Sequence, residues 1–337
     1  MFQTGIHIAL QSLASDGLTW LMLQITASGN NQFIIAAVIA VMFGLSLRQG
    51  FLLFQIIAWT AMLSEAAKLL FGLPRPFFAD ARVAPLAPGW DTATAFRNMG
   101  GRNFFDLPSQ AVIDSFRMQG LSFGFPSGHV SGAVAMWGGL AVVFRKRALV
   151  WLAPFLVALI AFTRLYLGVH FLADVLGGAL LGGLVLFAAW KLIGNKSGRE
   201  RFFAATRPRL NNSLPAILYY FFLFVVPVVL ALFSLFSAIF AGFFIGLNAA
   251  FTLAARSGLP SDRGTFWVRL ARVLIGGLLF LLLGLALQQA LTLVPAVAGS
   301  PWGSFLSAGL GTFLTVWGGM KLLLLLGLYQ PQEIPAA

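Results

Sequence analysis

Long apolar runs, nearly free of charge, recur from residue 31 to residue 328, and a chain built this way has few ways to fold. Inside hydrocarbon every backbone N–H and C=O must find a partner within the protein, which leaves helices or a closed barrel. The runs at 31–47, 50–71, 129–144, 148–163 and 170–190 each approach the ~20 residues that carry a helix across a bilayer. Residues 214–256 stay apolar for too long to be one crossing of a ~30 Å core, so two spans joined by a tight turn are expected there. Runs at 273–294 and 304–328 bring the expected number of spans to nine. Composition agrees: 59% of the residues are hydrophobic and 9% charged, against about 25% charged in soluble domains. The expected fold class is all-α, a polytopic transmembrane helix bundle.

The stretch 4–27 is a weaker span, because Asp16 lies near its middle and would cost ~2.5–3.5 kcal/mol at the bilayer centre. It reads as an interfacial or re-entrant helix with Trp20 near the headgroups. No internal repeat is evident. Four segments follow: an N-terminal helix at 1–30, a core at 31–190 with a long loop at 72–126, a basic linker at 191–213 and a C-terminal extension at 214–337. The linker holds Lys191, Lys196, Arg199, Arg201, Arg207 and Arg209 against Glu200, and Pro208 interrupts any helix.

The net charge of +12 reports orientation and anionic headgroups in a membrane protein; no nucleic-acid motif accompanies it. Alternating spans put Arg145–Arg147, Lys191–Arg209 and Arg256–Arg272 on one side, which is therefore expected to be cytoplasmic. The loop 72–126 falls on the other side, with Arg75, Arg82, Arg97, Arg102 and Arg117 offset by Asp80, Asp91, Asp106 and Asp114. The absence of Cys excludes disulfides, thiolate catalysis and Cys-ligated metals.

Three polar clusters reach the outer ends of spans: Lys68 to Pro76, Pro126 to His129, and Arg164 to Asp174. Ionisable groups at such depth usually face a bundle interior or water and signal function. Lys68, Arg75 and Arg164 can supply fixed cations to a phosphate, Arg as a planar fork. Ser127, Gly128 and His129 open a helix whose free N–H groups suit an anion. His170 and Asp174 are spaced i,i+4, so the carboxylate can hold one imidazole nitrogen while the other attacks. Each cluster alone also has an ordinary reading: a snorkelling Lys68 paired with Glu65, a loop opening at Arg75–Pro76, a helix cap at Pro126–Gly128, a buried histidine at position 129, and a structural His170–Asp174 pair.

Taken together and in order, K-x6-R-P, P-S-G-H and R-x5-H-x3-D resemble the type 2 phosphatidic acid phosphatase superfamily, through Lys68, Arg75, Pro76, Pro126, Ser127, Gly128, His129, Arg164, His170 and Asp174. The resemblance covers about 30 to 190. One position departs, since the family usually has Ser where this chain has Thr163; the retained hydroxyl is expected to keep a phosphate contact. The resemblance implies a phosphatase core of about five spans followed by about four extra spans. It implies that His170 attacks phosphorus to give a phosphohistidine, His129 protonates the leaving oxygen, Asp174 orients His170, and Lys68, Arg75, Ser127, Gly128 and Arg164 bind phosphate. No cofactor and no metal are expected. The expected partner is a phospholipid or isoprenoid phosphate in the membrane, hydrolysed at the outer face of a bacterial inner membrane. Transfer of the phosphoryl group to another acceptor, or a non-enzymatic transporter or structural bundle, are the competing readings. The aromatic residues of 77–125, Phe77, Phe78, Trp90, Phe96, Phe104, Phe105 and Phe116, are expected to select substrate or form a lid.

Overall fold

The computed structural model describes residues 1–90, 94–119, 122–204 and 214–331. Asp91, Arg207, Pro208 and Arg209, which entered the reading of the loop and the linker, lie outside them. The described residues contain helices, loops and a single isolated antiparallel bridge between Ser261 and Gln330. The chain is an all-α integral membrane protein. Seven helices among the described residues are long and apolar enough to cross a bilayer: Leu47–Ala79 with its short break, Arg147–Tyr166, Leu172–Ile193, Leu214–Leu232, Ala238–Ser257, Phe266–Thr292 and Pro301–Leu325.

Two of the nine expected spans take another form. Residues 31–47 become the second half of a bent pair, Asp16–Ala27 and Asn31–Leu45, which meet at 44°. Residues 129–144 become the shorter apolar helix Gly128–Phe144. Asp16 explains part of the first difference. It stands in the first turn of Asp16–Ala27, behind the Ser15 cap that accepts from the Leu18 N–H, where a carboxylate meets the positive end of the helix dipole. The chain thus breaks before the acid instead of burying it mid-helix.

Contacts divide the protein into two units. The first comprises Met1–Ile34 and Ile56–Trp190, the second Ile35–Gln55 and Lys191–Ala337. Residues 35–55 therefore group with the C-terminal segment, where the sequence pattern had put them in a 31–190 core. The first unit has an apolar core built largely from the loop 72–126: Phe77, Phe78, Val112, Ile113 and Phe116 pack with Phe2, Tyr166 and Phe171. Its rim is pinned by Asp80, which accepts from Thr4 Oγ1 at 2.8 Å and from Arg82 Nη2 at 2.6 Å. Burial opposes ionisation of Asp80, but the Arg82 and Thr4 hydrogen bonds outweigh it and hold the carboxyl down at about 2.

In the second unit Phe51 stacks on Phe251 with centroids 3.9 Å apart. Gln55 donates to Asn248 at 2.6 Å, and Asn248 donates to the Leu223 carbonyl at 2.8 Å, so these buried amides tie three helices. Arg272, grouped with the free loop charges from sequence, is in fact buried. It donates to the carbonyls of Leu328, Asp262 and Arg263 and lies over the Tyr329 ring. The helices Ala238–Ser257 and Pro301–Leu325 meet through Gly242 and Gly246, a small-x-x-x-small pair that lets backbones touch. A Cβ on Gly246 would stand 2.1 Å from the Gly309 carbonyl oxygen.

Gly246→Leu is accordingly expected to lower the thermal midpoint in detergent, by a cost of about 1–3 kcal/mol for overpacking. Gly277→Leu, where nothing lies within 4 Å of the added Cβ, should leave the midpoint almost unchanged. Equal midpoints for the two variants would contradict this packing.

Candidate functional site

Local structure delivers each charged candidate residue to one place. Leu47–Phe71 stops at Gly72, whose φ of +57° is the left-handed geometry of a helix terminus. Arg117 donates to the freed carbonyls of Phe71 and Gly72. The stop leaves Lys68 in the last turn and leads the chain on to Arg75. Arg147–Tyr166 likewise carries Arg164 in its last turn. The following turn passes Gly168, at φ +69°, where a Cβ would meet the Ala84 carbonyl oxygen at 2.5 Å. That turn presents His170. Asp174 lies in the first turn of Leu172–Ile193 and accepts the Phe171 N–H at 2.8 Å, as a helix-capping carboxylate does.

The strand of chain before Gly128–Phe144 is bound to the same helix. The Ser127 N–H donates to the Asp174 carbonyl at 2.9 Å. Gly178 and Gly182 permit the close approach, since a Cβ on Gly178 would stand 2.5 Å from the Ser127 carbonyl oxygen. The glycine spacing therefore fixes where the Ser127–Gly128 helix start sits relative to His170 and Asp174.

His170 is 2% exposed and held at both ring nitrogens. Nδ1 lies 3.3 Å from Asp174 Oδ2, and Nε2 lies 3.3 Å from Arg75 Nη1. A guanidinium has only donors. Nε2 must therefore be the bare nitrogen and Nδ1 the N–H, donating to the carboxylate. Arg75 also donates through Nε to the Ser122 carbonyl, through Nη1 to Val169, and through Nη2 to the Ser122 hydroxyl and the Phe123 carbonyl. Its face lies 4.1 Å from the Trp90 ring centroid. Five N–H groups meet five acceptors, so the guanidinium is oriented before any ligand arrives.

The other cations are less fully used. Arg164 donates through Nη1 to Thr26 Oγ1 at 2.9 Å, while its Nε is buried and makes no hydrogen bond. The Ser127 hydroxyl is buried and likewise without a partner. These two donors without acceptors suit an anion that accepts from both, while Asp174 Oδ1 is a buried acceptor in the same site that is likewise unpartnered. Lys68 pairs with Glu65 at 3.2 Å, the ordinary pairing the sequence also allowed, but Glu65 is 46% exposed and such pairs are weak. A Cβ on Gly128 would lie 3.4 Å from Lys68 Nζ, so the ammonium borders that helix start. His129 Nε2 lies 2.9 Å from Asn30 Oδ1.

All eight candidate residues thus belong to the first unit and surround one helix start. Some details differ from expectation. Thr163 donates its hydroxyl to the Ile160 carbonyl at 2.6 Å, so its proton serves its own helix and not a phosphate oxygen. Phe77, Phe78 and Phe116 are core residues, whereas Phe104 and Phe105 are exposed at 53% and 81%. The aromatic loop is therefore largely a packed subdomain. Sequence reasoning missed His7, whose Nε2 lies 2.9 Å from the His170 carbonyl oxygen, and the Thr26 and Asn30 contacts. These residues sit in a segment with no matching motif, so no spacing rule could reveal them. Among the described residues no three His, Asp or Glu side chains gather as a metal site would require.

Residues 49–197 match the family model of the PAP2 superfamily. The chain is 40% identical over 75 residues to a lipid A 4'-phosphatase of Bacteroides thetaiotaomicron, covering 21% of this chain and 31% of that protein. It is 30% identical over 90 residues to a lipid A 4'-phosphatase of Porphyromonas gingivalis, covering 27% and 37% respectively. It is 37% identical over 75 residues to phosphatidylglycerophosphatase B of Bacillus subtilis, covering 20% and 37%. The chain thus spans about a third of the length of these curated relatives. A crystal structure of a transmembrane PAP2 type phosphatidylglycerolphosphate phosphatase from Bacillus subtilis aligns over 56% of this chain and 82% of that one, at 23% identity and a TM-score of 0.40. The segment 49–197, similar to the PAP2 superfamily, contains every residue of the three ordered motifs.

Proposed function

We propose that this protein is a membrane phosphatase that hydrolyses a lipid phosphate or diphosphate through a phosphohistidine on His170. The observation that carries the reading is the bare Nε2 of His170, held between the Arg75 guanidinium and an imidazole N–H on Asp174. A nucleophile needs an unprotonated nitrogen, an oriented ring and a counter-charge for the cation it becomes. These contacts are consistent with all three, and the Arg75 hydrogen bond to Nε2 is given up as the nitrogen attacks.

In the first step the Nε2 lone pair forms a bond to phosphorus, and the bond from phosphorus to the leaving oxygen breaks with its electrons on oxygen. His129 gives that oxygen a proton. As Nε2 becomes bonded, Arg75 Nη1 loses its acceptor there and can turn its N–H to a phosphoryl oxygen. Lys68, Arg164, the Ser127 hydroxyl and the Gly128 amide supply the remaining positive ends where charge builds. In the second step water attacks phosphorus and gives a proton to His129. The electrons of the nitrogen–phosphorus bond return to Nε2, and inorganic phosphate leaves.

Relatives named lipid A 4'-phosphatase and phosphatidylglycerophosphatase B support a lipid phosphate as substrate class. The exposed Phe104 and Phe105 and the site's place at helix ends fit a headgroup approaching from the membrane. The basic turn at Arg145–Arg147 and the basic segment after Ile193 lie at the opposite helix ends, which supports a site facing the exterior or periplasm of a bacterial inner membrane.

Phosphate release from a panel of lipid phosphates in detergent tests the reading. His170→Ala should abolish turnover and any acid-labile phosphoenzyme, and Asp174→Asn should keep the fold but lose roughly 10²- to 10⁴-fold in rate. A fully active His170→Ala protein would remove the proposal; label appearing on a lipid acceptor instead of as free phosphate would make the enzyme a transferase.

Turnover should also persist in excess EDTA and be blocked by vanadate, which mimics five-coordinate phosphorus. Activity that vanishes with EDTA and returns with magnesium would contradict a metal-independent site. For sidedness, the chain's lack of Cys allows single labels: Phe105→Cys should react with an impermeant maleimide in intact cells, and Ser197→Cys only after lysis. The reverse pattern would put the site in the cytoplasm.

A further inference from the structure

We infer that Asn30 is a positioning residue of the reaction: its side-chain oxygen holds the Nε2–H of His129, so that the protonated ring delivers its proton from Nδ1. The inference rests on the phosphatase reading above and adds to it a residue outside the family motifs.

Asn30 Oδ1 lies 2.9 Å from His129 Nε2. An amide oxygen has lone pairs and no proton, so the ring nitrogen that meets it must carry the hydrogen. His129 is thereby fixed as the Nε2–H form, and the nitrogen that exchanges protons is Nδ1. The contact at Gly29 describes the same ring orientation. A Cβ on Gly29 would stand 3.4 Å from His129 Cδ2, so the edge made by Cδ2 and Nε2 lies against residues 29 and 30. The Nδ1 edge is the opposite one.

Asn30 is itself rigid. Ser28, Gly29 and Asn30 donate their N–H groups to Ile25, Thr26 and Ala27, and the Asn30 carbonyl accepts from Ile34. It therefore occupies the hinge of the 44° bend between Asp16–Ala27 and Asn31–Leu45, bonded to both helices. One turn earlier, Thr26 Oγ1 accepts from Arg164. The hinge thus touches the proton donor and a phosphate-binding cation at once, and no other residue of the described segment 1–30 reaches either side chain by a hydrogen bond.

The chemical consequence is specific. When the leaving oxygen departs from phosphorus it takes the Nδ1 proton, and His129 returns to the neutral form that Asn30 already fits. When water attacks the phosphohistidine its proton goes to Nδ1, and the imidazolium that forms keeps its Nε2–H on Asn30. Without an acceptor at that place the ring can rotate or adopt the other tautomer, and the proton is offered from the wrong atom. Loss of this acceptor should harm substrates in proportion to their need for a proton on the leaving group.

The test compares a long-chain alkyl phosphate with 4-nitrophenyl phosphate, whose leaving group departs without protonation. In Asn30→Leu, which keeps the volume but cannot accept, kcat for the alkyl ester is expected to fall about 10- to 100-fold, within the 10²–10⁴ that a general acid contributes. In the burst of phosphoenzyme formation read by rapid quench, the step in which only the alkyl leaving group needs a proton, the aryl ester should lose less than about threefold, which also reports that the site remains folded. Asn30→Asp retains an acceptor and should restore alkyl turnover to within a few-fold of the wild type; this variant carries the test if Asn30→Leu fails to fold. Equal losses on both esters, no loss on either, or an Asn30→Asp protein as poor as Asn30→Leu would overturn the role of Asn30. The parent reading fails separately, through retained turnover in His170→Ala, whatever the Asn30 variants do.

Discussion

The site depends on a buried guanidinium that has no freedom left. Arg75 is 3% exposed, and its donors are distributed over the carbonyls of Ser122, Phe123 and Val169, the Ser122 hydroxyl and the His170 ring. A charge taken out of water is tolerated only when its hydrogen bonds are fully met. Here the same bonds that make burial possible also dictate which nitrogen of His170 is bare. Asp174 completes the arrangement from the other side and anchors it to the start of a helix through the Phe171 N–H. His170, Asp174 and Arg75 are thus one hydrogen-bonded assembly, and in the proposed reaction they serve as nucleophile, orienter and phosphate-binding cation.

Close backbone contact is the second condition. Gly178 against the Ser127 carbonyl, and Gly182 against Ser131, bring the helix of Asp174 onto the helix of His129 with no side chain between. The hydrophobic effect cannot pull helices together within lipid, so small residues and polar bridges do that work. The second unit uses the same device at Gly242 and Gly246 and adds the Gln55–Asn248 amide pair. The loop 72–126 follows the rules of water-soluble proteins instead, with a core of Phe77, Phe78, Val112, Ile113 and Phe116. That core gives the segments bearing Arg75 and Ser122 a fixed frame; a floppy lid could not keep five donors matched to five acceptors.

How much could be read from sequence follows from the range of each interaction. Spans such as Arg147–Tyr166 and Leu172–Ile193 were legible because hydrophobic length is a local property. The turn between Leu232 and Ala238 was legible because 214–256 exceeds one crossing. Asp16 misled in detail, since a sequence window treats it as lying mid-helix, whereas a break at 12–15 gives it a helix start. Arg272 counted as a loop charge because only the fold brings the carbonyls of Asp262, Arg263 and Leu328 around it. Phe77 and Phe116 looked like substrate contacts for the same reason: apolar composition does not say whether a ring faces lipid or a neighbour.

By itself the sequence determined that the chain folds as membrane helices, and that Lys68, Arg75, Ser127, Gly128, His129, Arg164, His170 and Asp174 form the candidate site, because ordered motifs at fixed spacings encode chemistry along the chain. The tertiary structure alone decided which atoms of these residues meet. It put Arg75 on Nε2 of His170, Asn30 on Nε2 of His129 and Thr26 on Arg164, contacts separated by 95, 99 and 138 residues. It also decided that residues 35–55 group with the C-terminal helices. Hydrogen bonds act over about 3 Å, and partners so distant in sequence are brought within that reach only by the packing of whole helices.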